Sequence, residues 1–237
     1  MSDGSLVREL LKLRVPPIAV GFFDAPPPGL SRWDEGPVPS GCTFWLKAQE
    51  GKSFYTMPSD HYNCAIGSYT HSIDLPADRS DELPATVGLM VETKYLEESE
   101  VAGIPRLERS PGVVAYGPVD SAGFEPAVVV IAANPAQQML LYEAALRAGA
   151  GDALTNLIGR PGCAVLPLAL SADAAAMSLG CIGNRFHTGL PDSEFYSAIP
   201  GNKWQDVAAR LEEIVEANAA MTRYYDEHLT RIAGAGP

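Results

Sequence analysis

The stretch EPAVVVIAANPAQQMLLYEAALRAGAG, residues 125–151, constrains this chain more than any other part of it. PAVVVIAA (126–133) is a continuous apolar, β-branched run, the mark of a strand buried on both faces. The segment that follows is punctuated as a helix at both ends. Asn134 is a favoured N-cap type, Pro135 fits the first helical position, and Gly149 and Gly151 close it. A doubly buried strand running straight into a capped helix sets the expected class as α/β, with mixed sheets flanked by helices.

Other segments fill in that scheme. LVRELLKLR (6–14) puts Leu6, Leu10 and Leu13 at helical spacing, and VPPIAVGFF (15–23) reads as a buried strand with its prolines at the start. Residues 24–41 are rich in proline and glycine and read as a loop. A helix is expected from Cys42 to Glu50, and strands over SFYTM (53–57) and TVGLMVE (86–92). Trp204, Val207, Leu211, Ile214, Val215 and Asn218 form the stripe of a long C-terminal helix over about 203–229. The closing GAGP reads as a frayed tail.

Composition narrows the function classes. The 29 acidic side chains outnumber 17 basic ones and give a formal net charge of −12, which argues against a phosphate-binding surface and so against nucleic acid. No run approaches the roughly 20 apolar residues of a membrane span, and MSDGSLVRELLKLR has no apolar signal core, so a cytoplasmic protein is expected. Hydrolase, kinase and dinucleotide fingerprints such as G-x-S-x-G, the P-loop, H-E-x-x-H and G-x-G-x-x-G are missing.

The order of signals suggests an internal duplication, with repeats over about 15–118 and 124–215 of one domain related by a pseudo-twofold axis. Pro17 matches Pro126, Cys64 matches Cys163, and Ser99-Glu100 matches Ser193-Glu194, at offsets of 109, 99 and 94. Such symmetry would bring equivalent turns together near the axis.

Four cysteines stand at turns: Cys42 after PVPSG, Cys64 after SDHYN, Cys163 after GRPG, and Cys181 within SLGCIGNR. Three of them sit where a helix is expected to begin, and its dipole favours a thiolate. Structural disulfides do not suit a reducing compartment, and packing as small hydrophobes is the plain alternative. Four thiolates suit zinc or an iron–sulfur cluster. The separations of 22, 99 and 18 residues contain no CxxC knuckle of the kind structural zinc prefers, so a cluster gathered by the fold is expected, 4Fe–4S above all, with zinc or haem as alternatives. His61, Asn184, Arg185 and His187 are the nearest polar groups and the candidates for binding a substrate. His71 and Asn134 are weaker candidates.

PPIAVGFFD, CTFWLKAQEGKSFYT, HYNCAIGSY, FEPAVVVIAANPAQQM, GRPGC and SLGCIGNR…PDSEFYSAIP together resemble the DUF169 family of bacteria and archaea, over about residues 6–220. The resemblance brings no settled activity with it. It implies that cysteines recur at positions 42, 64, 163 and 181. Many relatives resemble LGCYGCR, with a further cysteine where this chain has Asn184. The expected function is an iron–sulfur-dependent oxidoreductase or lyase acting on a small molecule or with a redox partner. A non-catalytic zinc or haem carrier and a metal-free cysteine-thiolate enzyme are the alternatives. Assembly as a homo-oligomer is left open.

Overall fold

A computed structural model describes residues 2–234. The strands are β1 (Ile18–Phe23), β2 (Phe54–Thr56), β3 (Val113–Pro118), β4 (Val128–Ala133), β5 (Leu157–Ile158), β6 (Ala176–Ser178) and β7 (Phe195–Pro200). The α-helices among the described residues are α1 (Asp3–Leu11), α2 (Thr43–Gln49), α3 (Ala65–Thr70), α4 (Glu82–Glu92), α5 (Glu98–Val101), α6 (Pro135–Arg147), α7 (Val165–Ala172), α8 (Ile182–Thr188) and α9 (Trp204–Gly234). The strands form one mixed sheet in the order β2-β3-β1-β4-β7-β6-β5. Among the described strands only the β5–β6 pair is parallel. The chain is thus a mixed α/β protein.

β4 lies at the centre because its six residues, Val128 to Ala133, are all buried. Their alternation feeds two cores, each buried Val or Ile contributing on the order of 1.5–3 kcal/mol. Val128, Val130 and Ala132 point to a face covered by α2 and α7, with Phe44, Trp45, Tyr116, Leu166 and Tyr196 among its fillers. Val129, Ile131 and Ala133 point to the opposite face, covered by α1, α6 and α9. Asn134 Oδ1 accepts from the Gln137 N–H at 3.0 Å, and Gln137 Oε1 accepts from the Asn134 N–H at 2.8 Å. This reciprocal cap fixes the start of α6. The Gln137 side-chain amide also donates to Leu11 O at 2.9 Å, tying α1 to the same corner. Asn134 is therefore a structural cap.

The structure corrects several readings. TVGLMVE lies inside α4 and is helical, not a strand. Asp81, Glu82 and Pro84 supply a helix start, and a short apolar run cannot be assigned by periodicity alone. α1 begins earlier than expected and ends at Leu11, so Val7 and Leu11 form its buried stripe and Leu13 lies past the left-handed Lys12. Ser99-Glu100 falls in α5, whereas Ser193-Glu194 lies in the turn before β7, so those two pairs occupy unlike places. Of the expected GAGP tail, Ala235, Gly236 and Pro237 lie outside the described residues. No described helix is long and apolar enough to cross a membrane.

Candidate cofactor site

Strand ends and helix starts deliver four cysteines to one place. Cys42 is the N-cap of α2, Cys64 of α3 and Cys181 of α8, while Cys163 sits in the 3-10 turn Gly162–Ala164 that leads into α7. All four line a single cavity of about 310 Å3, walled also by α4. Gly180 makes the turn before Cys181 possible, since its φ of 75° is costly for any residue with a Cβ. Gly162 allows a close approach on the other side. A Cβ there would lie 2.6 Å from Asn184 Oδ1 and 3.2 Å from the Cys181 nitrogen.

The sulfurs are linked by small polar groups. Ser40 Oγ is 3.0 Å from Cys42 Sγ and 3.7 Å from Cys64 Sγ. Cys64 Sγ also accepts from the Gly67 N–H at 3.3 Å. Cys163 Sγ is 3.4 Å from the hydroxyl of Thr70, at the far end of the helix that Cys64 begins. Burial pushes the Cys42 thiol up, opposed by Ser40 and the Asn184 amide. Burial pushes Cys163 well up, and the neighbouring Cys64 adds to it. Buried thiols of this kind stay protonated unless a cation compensates the thiolate.

Among the described residues, the cavity wall contains no aspartate or glutamate, although the chain carries 29 acidic residues. Its permanent cation is Arg160, whose guanidinium lies 4.8 Å over the Tyr95 ring. The Tyr95 hydroxyl accepts from the Ile182 N–H at 3.3 Å and so tethers α8 to the end of α4. Several buried polar atoms here have no partner: both side-chain atoms of Asn184, His71 Nε2 and the Tyr116 hydroxyl. A group that supplies hydrogen-bond acceptors would satisfy the donors among them.

The four polar candidates divide. Asn184, 2% exposed, and His187 line the cavity. Arg185 does not; its guanidinium donates to the carbonyls of Leu179, Pro191, Glu194 and Gly180 at 2.6, 2.7, 3.1 and 3.2 Å. Those four hydrogen bonds hold the loops around Cys181. His61 is also displaced from the wall. It is buried under Phe44, with Nε2 2.8 Å from Thr56 Oγ1. His71, the weaker candidate, does line the cavity. Tyr116, Tyr95 and Arg160 were missed. Tyr116 lies in β3, a strand not read from VVAYGP, and close enough to Cys163, Cys42 and Cys64 that their charge adds to the burial holding its hydroxyl well above the usual tyrosine range.

Among the described residues, no three His, Cys, Asp or Glu side chains converge tightly enough for one metal ion. Mononuclear zinc needs four donors on one small tetrahedron. Soft thiols around one cavity are the donor type that zinc and iron–sulfur clusters share, whereas magnesium and calcium take oxygen ligands.

Fold and site together define a single-sheet α/β protein with a four-cysteine cavity. The chain belongs to the DUF169 family, described as "Uncharacterised ArCR, COG2043", which it matches over residues 7–210. No curated protein and no solved structure matches the chain.

Proposed function

We propose that the protein holds one iron–sulfur cluster, of the 4Fe–4S type, on Cys42, Cys64, Cys163 and Cys181, and serves in redox chemistry with a small molecule or a redox partner. The observation that carries this reading is that four thiols from four separate elements, between residues 42 and 181, line one cavity with no carboxylate. When bound, such a cluster exchanges single electrons. With all four corners held by cysteine no iron is left open, which favours electron transfer over Lewis-acid catalysis.

The chain's own residues set the conditions for that chemistry. The four cysteines ligate, and Arg160 offsets negative charge. The Asn184 side chain, itself without a hydrogen-bond partner, lies near enough to Cys42 to favour its thiolate. Hydrogen bonds to ligand sulfurs raise a cluster's potential, so Asn184 and the Tyr116 hydroxyl act as tuning groups. Ile66, Met90, Leu96 and Ile104 give the cavity apolar walls that limit water. His187 and Asn184 are the groups a small molecule would meet.

The duplication returns here in altered form. Strand order supports an axis through the antiparallel β1–β4 pair, where Ala19 faces Val129. That axis exchanges β3 with β7 and β2 with β6. Cys42 and Cys163 then both lead into the helix between the paired strands, and Cys64 and Cys181 both cap the helix after the second strand. This replaces the Cys64–Cys163 match. It also aligns IGSYTH (66–71) with IGNRFH (182–187) without a gap, making His71 the counterpart of His187. Two equivalent cysteine pairs facing each other across a dyad would account for ligands so dispersed in sequence.

The test is the set of four Cys→Ser variants, made anaerobically and compared by iron content, acid-labile sulfide and melting temperature. The expected outcome is loss of iron in each variant, with a fold that survives because both cores lie on the sheet. Wild-type protein that contains zinc alone, or four variants that retain iron as wild type does, would contradict the reading.

A further inference from the structure

Among the described residues, nothing buries the far half of α9. From Glu216 to Ala233 every residue is exposed, a projection of about 27 Å at 1.5 Å per residue. A free helix of that length is marginal in water even for good helix formers, and this one intersperses its Ala, Glu, Arg, Leu and Met with Asn, His, two Thr and two Tyr. It has no compensating ion pairs either: among the described residues the one salt bridge within α9 is Arg210–Glu213, short of the projection. A partner is therefore needed to hold it.

The pattern of its side chains says what kind of partner. Leu211 and Ile214, buried on the body, continue into Asn218, Met221, Tyr225, His228 and Ile232 at alternating steps of four and three, flanked by Tyr224 and Leu229. That is a heptad seam with polar residues at two core positions, Asn218 and His228, the device that fixes register in paired helices. Met221, Tyr224, Tyr225, Leu229 and Ile232 are each between 48% and 63% exposed. Together they offer on the order of 500 Å2 of apolar surface per copy, so a symmetric pair reaches the roughly 1,000 Å2 that a specific interface requires. The seam also lies beyond residue 210, where the match to the family ends.

We propose that α9 pairs antiparallel with α9 of a second copy of this chain. Antiparallel packing sets Tyr225 against Met221 of the other copy and the reverse. It places polar Asn218 beside polar His228, and Leu229 beside half-buried Val215 at the edge of the other body. Each seam is thus complemented by itself under a closed twofold. A parallel pair would bring two folded bodies together at Val215, within the 8–10 Å separation of packed helices.

Light scattering on the full-length protein, under reductant and over a concentration series, is expected to give twice the chain mass for wild type. The double variants Met221→Glu/Tyr225→Glu and Leu229→Lys/Ile232→Lys are expected to give the monomer mass with melting of the body unchanged. Once the reductant is removed and dissolved oxygen serves as the oxidant, Thr222→Cys, which meets its own copy only in the antiparallel arrangement, should form a disulfide-linked dimer that wild type does not. A monomeric wild type at about 100 μM, or a dimer that persists in both double variants, overturns the proposal. A dimer without the Thr222→Cys link overturns the antiparallel pairing.

Discussion

Replacing Arg185 with methionine separates a structural arginine from a substrate-binding one. The guanidinium donates to four backbone carbonyls, those of Leu179, Gly180, Pro191 and Glu194, at 2.6–3.2 Å. Its side chain is 22% exposed, so water can reach part of this cluster once the donor is gone. Hydrogen bonds from a charged donor contribute about 1.5–3 kcal/mol each when buried, and partial rehydration reduces the total cost here to about 3 kcal/mol. For a chain of this size that corresponds to a fall in melting temperature of about 6–12 °C. Methionine preserves the stem packing, so the loss reports the guanidinium. Arg185→Lys, with a single ammonium, should recover only a minor part. Scanning calorimetry on the three proteins measures this directly. If Arg185→Met melts within about a degree of wild type while ligand or cluster properties change, the structural assignment is wrong and the arginine faces substrate.

Three further outcomes follow from the geometry. Burial pushes His71 down to about 4 and holds His61, its ring 5.5 Å away, well below the usual histidine range. Both are therefore neutral in the fold, so stability is complete above about pH 6.5 and falls toward pH 4 as the unfolded chain takes up protons the fold excludes. His71 alone accounts for about 3 kcal/mol of that loss. Urea midpoints of a variant with all four cysteines changed to serine should show this slope, and a flat profile between pH 7 and 4.5 would refute it. Gly162→Ala forces a Cβ against Asn184 and the Cys181 backbone and should cost about 1–3 kcal/mol, whereas Gly159→Ala, with open space around it, should be near neutral. Equal melting of the two alanine variants would argue against the close packing of the Cys163 and Cys181 turns. With the proposed cluster bound, Asn184→Leu removes the amide near Cys42 and should lower the midpoint potential without loss of iron. An unchanged potential in a redox titration would remove Asn184 from the tuning groups.

Legibility in the sequence followed the strength of local signals. β4 and α6 were readable because six apolar residues in a row and the Asn134–Pro135 start admit one assignment. α2 and the first turns of α9 carried equally plain patterns. α4 was not readable, because Val87, Leu89, Met90 and Val91 suit a strand as well as a helix, and what decides is the helix start at Asp81–Pro84. The cysteines stood out by their turn contexts, although only the fold shows that four distant segments deliver them to one cavity. Arg185 looked chemical beside Cys181, but its four carbonyl partners come from a fold-dependent loop crossing. Tyr116 was invisible because its importance rests on three sulfurs contributed by distant segments.

The central claim is tested most directly by the composition of the protein purified, or reconstituted, under strict exclusion of oxygen. The account predicts about four iron and four acid-labile sulfide per chain, with a broad absorbance near 400 nm that bleaches on reduction, and loss of both in Cys42→Ser and Cys181→Ser alike. Iron-free wild-type protein after reconstitution, indistinguishable from the two variants in metal content and spectrum, would contradict it.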